Sequence, residues 1–197
     1  MSSYVRRMAV GSALALGVWL LASGGRAADE DEDEKAAKAA QKDIVELAGS
    51  MKDGKLNPAQ VQAVRKKHEL EHIMYVFKPR EKGGLGVGPK GPGDGIEFKL
   101  INLGKRAPAK MALQKQKDDL IRMARVTAVM GDLTALYPPP KSKMGKTPAD
   151  WKKYSEDMKK TALEFIKAVE GGDPRKVKAA AENVNTSCND CHTGFRD

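Results

Sequence analysis

The sequence predicts an all-α chain folded as an antiparallel helix bundle. Three observations carry this. Aromatic residues are only 5% of 197, while Ala and Lys are plentiful, a balance that favours helix over sheet. No stretch of four to eight residues alternates as a strand would. Several apolar stripes recur at helical spacing, each closed by Pro or Gly. With 41% apolar and 31% charged residues, the composition is that of a soluble globular chain of one domain or two. It excludes a multi-span membrane protein and a mostly disordered chain. Two cysteines exclude a disulfide-dense scaffold.

The first segment, residues 1–27, reads as a cleaved signal peptide. Arg6 and Arg7 form the basic start, residues 8–23 are almost wholly apolar, and Gly25-Arg26-Ala27 offers small residues at a cleavage site after Ala27. The apolar run is short for a spanning helix, which needs roughly 20 residues. Arg6-Arg7 is a poor fit to twin-arginine export, so the general secretory route and a periplasmic location are expected. Cleavage removes three of the 35 basic residues and none of the 26 acidic ones, which lowers the net charge from +9 to +6. An exported chain meets little nucleic acid, so the charge is read as a docking surface or as solubility. Residues 28–40, with acids from Asp29 to Glu34, are expected to form a flexible tail.

Residues 41–197 carry the helices. Ile44, Leu47, Ala48 and Met51 lie at helical spacing, and Asp53-Gly54 ends that helix. Asn57-Pro58 is an N-cap followed by Pro at the first position. The helix it opens is expected to run through the stripe Leu70, Ile73, Met74 and Phe77, stopped by Lys78-Pro79. Residues 83–95 hold seven Gly and two Pro, a loop. Residues 105–110 form a second break. A long helix is expected from about Ala109 to Tyr137, ended by Pro138-Pro139-Pro140. Thr147-Pro148-Ala149-Asp150 is a capping box ahead of Trp151, Tyr154, Met158, Ala162, Phe165 and Val169. After Gly171-Gly172, Asp173-Pro174 opens a last helix striped by Val177, Ala181, Val184, Cys188, Cys191 and Phe195.

The chemistry lies in that last helix. Cys188-Asn189-Asp190-Cys191-His192 is C-x-x-C-H, the pattern of covalent haem c attachment. Two thiols on adjacent turns can each add to a haem vinyl group, and the next residue, His192, supplies the proximal iron ligand. Export agrees with this reading. A zinc site would need four ligands, with only His68 and His72 left to complete it. A redox dithiol belongs after a strand, and none is expected. A disulfide is the remaining alternative.

The segment from Met111 to Arg196 resembles the class II c-type cytochromes, the cytochrome c′ type. The likeness rests on Cys188, Cys191, His192, Phe195 and Arg196, on Gly172-Asp173, on Ala179-Ala180-Ala181 and on the helix that starts at Trp151. It implies a four-helix bundle, here with an extra N-terminal helix and a long Gly-rich loop, holding one covalently attached haem and its iron. In that family the first bundle helix faces the distal side of the haem. Some members offer Met there and carry electrons; others offer an apolar residue, stay five-coordinate and bind NO or CO. Met74, on its apolar stripe, is the expected distal ligand, with core packing as its alternative. Met51 is the second choice. His72 is a third, pointing about 200° from Met74 if both lie on one helix. Arg196 is expected to pair with a haem propionate or to sit as a helix-end cation.

Two further motifs are set aside. His68-Glu69-Leu70-Glu71-His72 has the H-E-x-x-H form, yet lacks a third ligand and is expected on a wet face, so a protease is not predicted. Gly86-Val87-Gly88-Pro89-Lys90-Gly91 has the G-x-G-x-x-G form without a preceding strand, so no dinucleotide site is expected; the loop is a connector or a flap at the haem edge. The expected function is an exported monohaem cytochrome carrying single electrons. The alternative is a gas-binding haem protein. No acid/base pair suggests an enzyme. The expected partner is a redox protein, with neither nucleic acid nor membrane after cleavage, and a homodimer is admitted.

Overall fold

The computed structural model describes residues 24–195 apart from 140 and 143, with side chains described from residue 32. Among these residues are eight α-helices, two single 3-10 turns and no strand. They are α1 (Gly24–Ser50), α2 (Pro58–Lys67), α3 (Leu70–Met74), α4 (Ile96–Lys105), α5 (Lys110–Lys115), α6 (Lys117–Thr134), α7 (Pro148–Gly171) and α8 (Pro174–Phe195). The expected signal peptide lies outside the described residues except for its last four, which belong to α1. Arg196 lies outside them as well.

Four helices alternate in direction. Asp132 meets Lys159 at 2.7 Å and Thr134 meets Ser155 at 3.1 Å, while Lys117 reaches the Glu170 carbonyl, so α6 and α7 are antiparallel. Thr161 meets Ser187 at 3.3 Å and Trp151 meets Phe195, which sets α7 against α8 in the same sense. The far side of α8 is covered by α4, running back along it. A Cβ on Gly104 would stand 3.3 Å from the Glu182 Cα, so a larger residue would force the two helices apart. The Glu97 carboxylate lies close enough to Cys188 to act on its charge. α1 packs on α6 and on α2 and α3, outside this set of four. The core runs through Phe165, Leu120, Met123, Met130, Leu133, Val177 and Val184, each no more than 1% exposed.

The caps form as their residue types dictate. The Asn57 side chain accepts from the Ala59 N–H, Thr147 and Asp150 complete a capping box, and Asp173 accepts from the Arg175 N–H. Four expectations change. The acidic segment 28–40 is not a flexible tail but part of α1, because Ala37 and Ala40 dock at 1% and 0% exposure and Asp33 meets His72. The helix expected from Pro58 to Phe77 breaks at His68 and Glu69, whose ψ angles are 144° and 155°. Tertiary bonds compensate: the Tyr137 hydroxyl donates its one proton to the His68 carbonyl, with the Arg65 carbonyl also within reach at 3.0 Å, and His68 meets Asp43. The long helix after Ala109 bends at Gln116 and ends at Thr134. α4 was not anticipated at all.

The Gly-rich loop 83–95 is folded around a charge pair. Asp94, 7% exposed, accepts from Arg80 Nη1 at 2.6 Å and from the Arg80 backbone N–H at 3.0 Å. Arg80 Nη2 donates to the Gly88 carbonyl, and the Val87 N–H donates to the Asp94 carbonyl. Gly86 has φ +70°, and a Cβ there would stand 2.6 Å from the Arg80 guanidinium. The Arg80 backbone N–H holds the Asp94 carboxyl below the usual carboxylate range, outweighing the opposing effect of burial; the guanidinium adds to it. Asp94→Asn is expected to cost about 2 kcal/mol in urea unfolding at neutral pH. A depressed carboxylate stabilises the fold above its unfolded pKa and stops doing so as pH falls through its folded one. The gap between wild type and variant therefore closes only in that acid range.

Candidate functional site

α8 is amphipathic, and its buried face changes character along its length. Val177, Ala181 and Val184 are 0–1% exposed. The next two positions on this face, Cys188 and Cys191, are half-buried free thiols. They sit one turn apart, about 4.5 Å along the helix axis. Burial pushes the Cys188 thiol up to about 12, with the Glu97 carboxylate adding to the effect, and pushes Cys191 up to about 11. Both are therefore protonated and weakly nucleophilic at neutral pH. His192 follows directly and is half-buried.

The turn that carries them is clamped from two sides. On one side the Phe195 ring packs edge-on against Trp151, centroids 5.2 Å apart, and against Tyr154 at 6.3 Å. Trp151 Nε1 donates to the Thr134 carbonyl at 2.7 Å, which ties the end of α6 to the start of α7 and both to the end of α8. On the other side lies the first turn of α4, with Ile96 and Leu100 buried and Phe98 50% exposed. α4 is the functional element that sequence reading missed. Its signal was present in the stripe Ile96, Leu100 and Leu103 immediately after the glycines.

The three attachment residues come together on α8, whereas the distal candidates lie on other elements. Met74 is half-buried on α3, which packs chiefly on α1. Met51 is 8% exposed beyond the end of α1. His72 is half-buried with Nε2 3.3 Å from Asp33. Two shallow clefts, about 430 and 340 Å³, are lined by Val45, Ile121, Arg122 and Arg125 and by Leu56, Val61 and Leu136; neither touches α8.

The H-E-x-x-H pattern loses its helical geometry at the break after Lys67. Each imidazole instead meets a carboxylate of α1, and no group of three metal-binding side chains occurs among the described residues. The His68 side chain is 8% exposed, not on the wet face expected, because α1 covers it. The hydrogen bond from His68 holds the Asp43 carboxyl below its usual range, with Lys67 adding to it against burial. Asp43→Asn is expected to lose about 1 kcal/mol of stability at pH 7. That difference fades as acid protonates Asp43 in the wild type, and urea titrations at several pH values will read it.

The donor set fits one prosthetic group. Two reduced thiols on successive turns of one helix face, with an imidazole on the following residue, are what covalent attachment of haem needs. No helix among the described residues is long and apolar enough to cross a membrane. Neither the curated proteins nor the solved structures contain a significant match to the chain. Residues 109–196 match the family described as Cytochrome C′, a span that runs from the start of α5 through α8. Over these helices, 88 of the 197 residues, the chain is similar to the class II c-type cytochromes, the cytochrome c′ family, whose members carry covalently bound haem c with its iron and are typically exported.

Proposed function

We propose that the protein is an exported monohaem cytochrome that carries single electrons, with residues 1–27 as its cleaved signal peptide. The observation that supports this most is C-x-x-C-H on the half-buried end of an otherwise buried helix face. Cys188 and Cys191 would hold the haem through two thioether bonds, and His192 would supply the imidazole that binds its iron. The haem, when bound, supplies a one-electron iron couple. The chain's own part is to hold α8 still. Phe195 against Trp151, and Trp151 against Thr134, fix the turn that carries His192. We read the protein as a carrier rather than an enzyme.

A second reading has its own support. The helix laid along α8 is α4, whose sequence Ile96–Lys105 contains neither Met nor His and turns Ile96, Leu100 and Leu103 inward. If α4 faced the open side of a bound haem, this apolar wall would favour a five-coordinate iron that binds NO or CO. The electron-carrier reading would instead use a ligand from elsewhere, Met74 first, with Met51 and His72 as alternatives.

Absorption spectra of the ferric and ferrous protein, made in a host that attaches haem, test both. Electron-carrier chemistry predicts a low-spin spectrum with a methionine–iron band, lost in Met74→Ala. The gas-binding reading predicts a high-spin spectrum unchanged by that substitution. A colourless product would sink both. Cys188→Ser with Cys191→Ser is expected to abolish covalent haem, read as loss of haem stain after denaturing electrophoresis, while either single change leaves one thioether and a shifted haemochrome band.

A further inference from the structure

Residues 98–117 carry six basic side chains and no carboxylate. The fold gathers five of them at one end of the bundle. Lys105 ends α4, Arg106 caps it, Lys110 and Lys115 open and close α5, and Lys117 opens α6. All five are exposed, and none has an ion-pair partner within 4 Å among the described residues; Lys117 reaches a backbone carbonyl. Because α4 and α8 are antiparallel, α8 starts at this same end and adds exposed Arg175 and Lys176. Asp118, Glu170, Asp173 and Glu182 are nearby carboxylates; Asp173 is engaged in capping α8 and Glu182 pairs with Lys178 at 3.3 Å. Met111, 83% exposed, stands next to Lys110 on the first turn of α5. The Cys188 turn lies at the opposite end, about 18 Å further along α8 than Lys176.

These cations sit on α4, α5, α6, α8 and the connector after α4, and none of them lines the nearest cleft, whose walls include Asp118, Ile121, Arg122, Arg125 and Glu170. An anionic bilayer needs no groove. It attracts each nearby Lys or Arg, and it accepts an exposed apolar side chain at headgroup level. We propose that this end of the bundle docks peripherally on an anionic lipid surface, with Met111 among the headgroups and the cysteine-bearing end held away from it. The contact is one of adsorption, with no spanning segment. It does not depend on the haem reading.

The test is co-sedimentation of the exported protein with vesicles of phosphatidylcholine containing about one-third phosphatidylglycerol, against vesicles of phosphatidylcholine alone, at low salt. Each cation near such a surface contributes roughly fivefold in partitioning. The combined change Lys105→Ser, Arg106→Ser, Lys110→Ser and Lys115→Ser is expected to lower binding at least tenfold. A control removing the same charge elsewhere, Lys66→Ser, Lys90→Ser, Lys141→Ser and Lys160→Ser, is expected to lower it several-fold less. Equal loss in both variants would mean net charge alone is at work and would overturn the proposal. So would absence of binding by the wild type. Binding to soluble polyglutamate without binding to the vesicles would assign the surface to an acidic polypeptide and overturn the bilayer reading. Helical circular dichroism of each variant separates loss of binding from loss of fold.

Discussion

The Asp94 carboxylate accepts from the guanidinium and the backbone N–H of Arg80, and this pair decides where α4 can begin. The segment before it has no helix of more than five residues after Lys67, and the segment after it must lie straight along α8. The glycines bring few side chains to hold the loop in place: Val87 is buried in the core and Leu85 packs on it. The buried charge adds a polar anchor, and the loop's own backbone carbonyls and N–H groups close around it. Without the pair, the start of α4 would be held less firmly beside the cysteine-bearing turn. The glycines are then explained by what they surround. Gly86 lies against the guanidinium, where any side chain would displace it.

α8 itself is built from two regimes. Its first three turns are packed as tightly as any core helix, and its last two loosen to half-burial at Cys188, Cys191 and His192. That gradient separates anchoring from chemistry. The tight portion holds register against α7 and α4, through Ser187 and Thr161 on one side and Gly104 on the other. The loose portion offers two thiols kept protonated by their surroundings, beside an imidazole, at the point where the helix leaves the core.

Much of this was legible in the residues. Where a side chain signals its own backbone, as Asn57, Thr147 and Asp173 do at their caps, the helix starts where it should. The stripes of α7 and α8 bury as their spacing requires, and the attachment motif needs no tertiary information to be seen. What was illegible depends on distant partners. Nothing local to His68 breaks a helix; the break is stabilised by Tyr137 and Asp43, 69 and 25 residues away. The acids of α1 read as a tail until Ala37 and Ala40 find a surface. α4 has Gly95 at its N-cap and no capping side chain, so its start is set by the loop before it rather than by a signal of its own. The choice between Met74 and His72 assumes that one helix runs from Pro58 to Phe77; the chain instead breaks at His68, Met74 lies on the short α3 packed on α1, and α4 lies beside α8.

The position of Trp151 has a consequence of another kind. The sequence holds two tryptophans, at positions 19 and 151, and the first falls within the proposed signal peptide. If residues 1–27 are removed as proposed, Trp151 is the one indole of the remaining chain. It is bonded to the last turn of α6 and meets edge-on the ring that closes α8, three residues after His192. The molecule therefore carries its own fluorophore at the joint where three helices converge on the cysteine-bearing turn. Its emission will follow what happens at that joint: loosening of the helix ends, and energy transfer to any chromophore seated beside it.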